Sequence, residues 1–247
     1  MGIVLEVKNL SKRFGGIQAI NKVSLTFQQQ ELRCIIGPNG SGKTTLFNLI
    51  SGQIKPDQGE VTLEGEDITH LKPYEISKRG VARKFQITSV FENLTVRDNL
   101  LVAAMGGQRV HSLFSRQPEK MALDRVGEVM STIHLAGRGD EAASTLSHGE
   151  KQWLEIGMVI AYRPRLMLLD EPTAGMSPSE TVETSRIIRR ISQDITTVVI
   201  EHDIKFLKEI GEKVVVFSRG SILAEGTFDE IGNNPLVRDV YLGREGG

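Results

Sequence analysis

What the sequence has little of narrows its chemistry first. A single cysteine, Cys34, in 247 residues excludes a disulfide framework and a CxxC metal or redox pair. Lying inside an apolar run, it is expected to be a small buried hydrophobe. An excess of one charge is also lacking: 30 Lys+Arg stand against 31 Asp+Glu, a net charge of -1. That balance gives no overall basic field for nucleic acid. No cluster of four or more Lys/Arg is there to hold an anionic membrane, and no apolar run reaches membrane-spanning length. Any membrane role must therefore pass through a protein partner. Nothing near Met1 resembles a signal peptide, so the cytosol is the expected compartment.

The length suits one large α/β domain or two small ones, and 39% hydrophobic residues can bury a substantial core. No internal repeat or low-complexity segment interrupts it. Ile3 to Val7 and Val23 to Phe27 flank Gly15-Gly16 with alternating polarity and read as β-strands, an antiparallel edge. Leu32 to Ile36 is a short apolar run ending at Gly37, and Thr44 to Ile50 continues with helical spacing. Gly59 to Leu63 is a further β stretch, followed by a segment from Asp67 to Gly80. From about Thr95 to Leu135 the pattern is mostly helical, and Gly106 to Glu119 reads as a flexible loop. After Leu166, apolar strands (Leu166–Leu169, Thr197–Ile200, Val214–Phe217) alternate with helices (Ser179–Ile191, Ile204–Ile210). That alternation implies a parallel sheet covered on both faces. The expected organisation is one domain, residues 1–247, with an α/β core at about 1–85 and 165–247 and an inserted helical subdomain at about 87–163.

Gly37-Pro38-Asn39-Gly40-Ser41-Gly42-Lys43-Thr44 matches GxxxxGK[ST] between a strand and a helix. Its glycines let backbone N–H groups turn onto a β-phosphate, and the helix start adds partial positive charge. Lys43 is expected to reach the β/γ oxygens, Thr44 to offer its hydroxyl to Mg²⁺, and Thr45 to join the nucleotide contacts. A strand ending in Asp170 supplies the second metal oxygen, and Glu171 beside it is positioned to accept a proton from an attacking water. Two solvated acids before the Pro172 turn would be the plain alternative.

Leu146-Ser147-His148-Gly149-Glu150-Lys151-Gln152 then brings in a family. Here the sequence resembles the ATP-binding subunits of ABC transporters, whose signature is written LSGGQ. His148 replaces the glycine beside Gly149, and Glu150 replaces Gln. Ser147 and Glu150 also make a capping box on a helix running to about Ala161. In the family, the signature helix start binds the γ-phosphate of ATP held by the opposite subunit. The resemblance implies further roles, in order along the chain. Gln86, after the Val81–Phe85 strand, matches the glutamine that touches Mg²⁺ or the lytic water. His202 matches the histidine that contacts the γ-phosphate and orients Glu171. Phe14 matches the aromatic residue that stacks on adenine, although beside Gly15-Gly16 it could equally be core. Ala174-Gly175-Met176-Ser177 occupies the D-loop, where most of the family has an Asp.

The implied fold is a P-loop NTPase core, a mixed sheet with helices and an antiparallel β edge, carrying an inserted helical subdomain. One P-loop and one signature per chain imply an ATP site completed by a second ATPase subunit, in a homo- or heterodimer. The implied cofactors are ATP and Mg²⁺. The implied partners are membrane permease subunits and, indirectly, an extracellular or periplasmic solute-binding protein, at the cytoplasmic face of the membrane; nucleic acid is not among them. Ile87, Thr88, Val90, Phe91 and Leu94 could contact permease coupling helices or belong to the helical core. The C-terminal Asn233-Asn234-Pro235 and Tyr241-Leu242-Gly243, with Ile200-Glu201-His202-Asp203, look like ATPases of branched-chain amino acid importers. Arg83-Lys84-Phe85-Gln86, Val90 to Val96 and Leu146 to Glu155 are most similar to the urea or short-chain amide branch. The alternatives weighed are an exporter or lipid-extracting system and, less well matched, a non-transport ABC ATPase. The latter would be expected to carry a coiled coil or tandem cores, neither of which this sequence has.

Overall fold

The computed structural model describes residues 2–84, 90–106, 118–210 and 213–242. β1 (Ile3–Phe14) and β2 (Ile17–Gln28) pair antiparallel around Gly15, whose φ of 54° suits the tight turn. β3 (Leu32–Ile36) and α1 (Lys43–Ile50) follow. β4 (Gln58–Leu63) then returns to the free side of β1, with the short β5 (Glu66–Asp67) beyond it. These strands form a sheet of their own in the order β2-β1-β4-β5. Both sides of β1 are thereby used, and the N-terminal strands pair antiparallel, as their alternation predicts, in a sheet separate from the parallel one.

After α2 (Pro73–Lys78), the chain builds the second sheet from β6 (Val81–Lys84), β7 (Leu166–Asp170), β8 (Thr196–Ile200), β9 (Val214–Ser218) and β10 (Ser221–Gly226). The order is β10-β9-β3-β8-β7-β6, with every pairing parallel except β9 with β10. The antiparallel edge of this mixed sheet is therefore the C-terminal hairpin. β7 and β8 are buried at every position, as strands covered on both faces must be.

Alternate residues feed two cores. Cys34, Met167, Leu169 and Val199 face α6 (Pro178–Ile191) and α7 (Ile204–Ile210). Ile35, Leu168, Val198 and Ile200 face α1 and the antiparallel sheet. Cys34 is fully buried, and that burial pushes its thiol pKa up, as a structural rather than reactive cysteine requires.

Between β6 and β7 lie α3 (Val96–Gly106), α4 (Pro118–Thr132) and α5 (His148–Ala161), packed together through Leu100, Val129, Ile133 and Leu154. Gly157 permits their approach, since a Cβ there would lie 2.6 Å from Ile133 and 3.1 Å from Leu100. The expected loop between Gly106 and Glu119 falls largely outside the described residues. α8 (Phe228–Asn233) and α9 (Pro235–Leu242) close the chain against the β10 side.

Candidate functional site

Parallel strands deliver their carboxyl ends to one edge of the sheet, and the register brings three of them level. Ile35 of β3 pairs with Ile200 of β8, which also pairs with Asp170 of β7. Ile36, Glu201 and Glu171 are thus level at that edge, and Gly37 leaves the sheet one residue further on. Such an edge is where open α/β sheets bind ligands.

The loop after β3 is shaped by glycines that no other residue could replace. A Cβ on Gly37 would lie 2.3 Å from the Phe217 carbonyl, and one on Gly42, at φ 108°, would lie 2.5 Å from that of Ala19. The Gly220 N–H donates to the Ser41 carbonyl at 2.8 Å, and the Asn21 N–H donates to the Gly220 carbonyl at 2.8 Å. The β9–β10 turn and β2 therefore clamp the loop from outside. α1 starts on Lys43, one residue before the expected Thr44, and has no acidic residue in its first turn. Its partial positive charge is left for an anion. Asn39, Gly40 and Thr44 are exposed, Pro38 and Thr45 half-buried, and the Ser41 Oγ is buried with no hydrogen-bond partner. The Lys43 ammonium donates to the Gly37 and Pro38 carbonyls at 2.8 and 3.1 Å. Burial pushes its pKa down, against the opposing pull of Glu171 and Asp170.

Asp170 is buried at the end of β7. Its Oδ2 accepts from Arg83 at 3.1 Å, while its Oδ1 has no partner. Burial pushes the Asp170 carboxyl pKa up, opposed by Arg83 and Lys43. Arg83 also donates to Asn48 at 2.6 Å and lies 5.6 Å over the Phe47 ring, tying β7 to α1. Sequence reasoning assigned no role to Arg83; its only signal is a charge inside a strand. Glu171 follows Asp170 at φ 47°, its N–H donating to the Ile200 carbonyl at 2.9 Å. Its Oε1 lies 3.7 Å from Nδ1 of the exposed His202.

No three His, Cys, Asp or Glu among the described residues form a metal cluster. A nucleotide-borne Mg²⁺ asks for less, one or two protein oxygens alongside phosphates and water. The partnerless Asp170 Oδ1 and the exposed Thr44 hydroxyl fit that donor set. Phe14 is exposed at the hairpin tip with Lys12 5.7 Å over its ring, so it is not core. Gln86, Ile87 and Thr88 lie outside the described residues. Val90 packs on the helical core, whereas Phe91 and Leu94 are exposed. A cavity of about 480 Å³ lies beside β6, lined by Tyr74, Val81, Ala103, Met158 and Tyr162.

The segment 146–152 leads into, caps and opens α5, apart from this loop. Ser147 caps the helix, accepting from the Glu150 N–H, and Glu150 reaches back to the Ser147 N–H at 2.8 Å. Gly149 is buried, and a Cβ there would meet the Glu180 carboxylate. His148 Nε2 bonds the Ala174 carbonyl at 3.0 Å. Arg138 pairs with Glu150 and holds its carboxyl below the ordinary value against the opposing effect of burial. Arg138 was not picked out from the sequence, and its partners are long-range or lie on a turn.

The description "ABC transporter" belongs to the family model that matches residues 20–174, and "Branched-chain amino acid ATP-binding cassette transporter" to the one matching 221–247. The chain is 36% identical to the high-affinity branched-chain amino acid transport ATP-binding protein BraF of Pseudomonas aeruginosa, covering 97% of this chain and 98% of that one. It is 39% identical to the corresponding protein LivG of Salmonella typhimurium, with the same coverage. A crystal structure of the ADP conformation of an ATP-binding cassette of an ABC transporter superposes with a TM-score of 0.86 at 30% identity, covering 98% of this chain and 100% of that one.

Proposed function

The chain belongs to the ABC transporter family and is an ATPase with the ABC cassette fold, and from that premise we propose that it powers a solute importer. The observation that carries the reading is the convergence of Lys43, Asp170, Glu171 and His202 at neighbouring strand ends. In this reading residues 1–247 are one cassette, core at about 1–85 and 165–247, helical subdomain at about 87–163.

ATP phosphates lie in the loop from Gly37 to Thr44, with Lys43 turning from its two carbonyls to the β/γ oxygens, and Phe14 against adenine. Thr44, Asp170 and Gln86 would hold Mg²⁺, which when bound neutralises charge on the β- and γ-phosphates. Glu171 takes a proton from the water that attacks the γ-phosphorus. His202 orients Glu171, and the bond to the bridging oxygen breaks to leave ADP and phosphate. Lys43 meets the charge that develops on that oxygen. Ser147, His148, Gly149 and Glu150 act on the nucleotide of a second ATPase subunit.

Permease subunits are the proposed membrane partners, docking beside β6 near Phe91 and Leu94, which sets the chain at the cytoplasmic face of the membrane. Branched-chain amino acids are the first solute reading, supported by the names of the relatives. Urea or a short-chain amide is the second, favoured by His148-Gly149-Glu150-Lys151-Gln152-Trp153 and Arg83-Lys84.

Glu171→Gln should keep ATP binding, trap an ATP-dependent dimer and nearly abolish hydrolysis; turnover at the parental rate would remove Glu171 as the base. Uptake of labelled leucine and labelled urea by cells carrying that variant separates the solutes. Loss of leucine uptake alone selects the first reading, loss of urea uptake alone the second, and loss of neither rejects the importer.

A further inference from the structure

We infer that Glu201, a carboxylate with no assigned role, is a positioning residue that sets the distance between Glu171 and His202. The inference rests on the reading of those two residues as the hydrolytic pair.

Glu201 follows β8 and is 1% exposed. Its Oε1 accepts from the Thr173 N–H at 3.0 Å and the Thr173 hydroxyl at 2.5 Å. Its Oε2 accepts from the N–H groups of His202 and Asp203 at 3.0 and 3.3 Å. One side chain thus joins two loops: Thr173 is two residues past Glu171, and His202 is the next residue in the chain. The loop carrying Glu171 is tied to the end of β8 twice, by the Glu171 N–H on the Ile200 carbonyl and by Thr173 on Glu201. Glu171 itself holds a φ of 47°, a conformation that persists only where its surroundings enforce it.

The chemistry requires a carboxylate. Each oxygen of Glu201 faces at least one backbone N–H, a group that cannot reverse and accept. An amide in its place would turn its NH₂ on one loop or the other and leave a buried N–H unpaired. Four donors compensate the burial of a charge that an isolated carboxylate could not bear. Lys84 lies near enough for its charge to be felt as well.

The test is steady-state ATP hydrolysis by the full-length chain with Glu201→Gln, alongside nucleotide affinity measured separately. A base displaced by a fraction of an ångström should cost about tenfold or more in kcat, with ATP affinity within about twofold of the parent. Thr173→Val, which replaces the hydroxyl by a methyl and keeps the backbone N–H, should shift kcat in the same direction by about threefold, and Thr173→Ser should recover most of that loss. A Glu201→Gln protein with parental kcat overturns the inference, and so does one that loses affinity and kcat together. Should Glu201→Gln fail to fold, parental kcat in Thr173→Val overturns it instead. Glu171→Gln is the control: parental turnover there rejects the underlying site reading, whereas a dead Glu171→Gln beside a normal Glu201→Gln rejects the positioning role alone.

Discussion

Lys84→Met is the perturbation whose size follows most directly from the structure. Lys84 ends β6 with its side chain 5% exposed, and its ammonium lies 3.3 Å from the equally buried Glu155. It also donates to Gln152, so both partners stand on α5, one turn apart. Burial pushes the lysine pKa down while Glu155, Glu201 and Asp170 pull it up. Methionine keeps the length and volume and deletes only the charge. The buried Glu155 carboxylate then loses its ammonium, and removing one member of a buried ion pair costs about 3–5 kcal/mol. In a chain of this length each kcal/mol moves the melting temperature by about 2–4 °C, so a drop of about 6–20 °C is expected.

Urea denaturation monitored by far-UV circular dichroism checks the stability change, with the slope of the transition confirming that the folded state is otherwise the same. Lys84→Met combined with Glu155→Met should recover more than half of the loss, because well-packed apolar replacements of a buried pair are often close to neutral. A single-variant loss below about 1 kcal/mol, the range of exposed pairs, would refute the reasoning. A double variant no more stable than the single one would refute it equally.

Lys43→Ala should lower ATP affinity at least about tenfold in a fluorescent-nucleotide titration, since charge-assisted contacts to phosphate are lost; unchanged binding would count against the loop. Phe14→Ala should weaken binding about 2–10-fold, the worth of one aromatic stack, and no change would leave the exposed ring unexplained. Arg138→Ala leaves the Glu150 carboxylate at the start of α5 without this ion-pair partner, held by the Ser147 N–H. ATP-driven dimerisation, followed by gel filtration, should weaken up to about fivefold and return when Glu150→Gln is added. The Glu180 carboxyl, held by Ser177, lies below its ordinary value of 4.5. Its contribution to stability is therefore present above that value and fades as pH falls through the lower folded one. Urea midpoints measured from pH 6 to 3 should fall less steeply for Glu180→Gln than for the parent.

Features that depend on neighbouring residues could be read from the sequence. The Gly37–Thr44 loop, the strand ending in Asp170 and the Ser147–Glu150 cap each lie within a few positions, and the helix from His148 to Ala161 ends where its spacing says it should. The features missed are closed by distant contacts. Arg83 meets Asp170 across 87 positions and Thr173 meets Glu201 across 28, so neither strand alone announces the pairing. The same holds for the N-terminal sheet. Alternation identifies β1 and β2, but only the return of β4 to the free side of β1 decides that they stand apart from the parallel strands. One hint was available: Glu201 follows an apolar strand as Asp170 ends one, and a charge at such a strand tip needs partners.

His148 and Glu150, the two residues that differ from LSGGQ, each find partners within this chain. Glu150 would place a negative charge where an anion is expected, but its carboxylate is turned to Arg138 and to the Ser147 N–H, so the helix start does not face an unpaired charge. His148 takes the place of a glycine and fills space beside Gly175, where a Cβ would lie 3.0 Å from its Nε2. Because that nitrogen bonds the Ala174 carbonyl, it carries the ring proton. This imidazole thereby supplies the loop 174–177 with a tether from the same chain. Trp153 adds another, its Nε1 donating to the Thr184 hydroxyl on α6 at 2.8 Å. α5 is therefore tethered twice, from His148 in its first turn to the 174–177 loop and from Trp153 in its second turn to the second turn of α6.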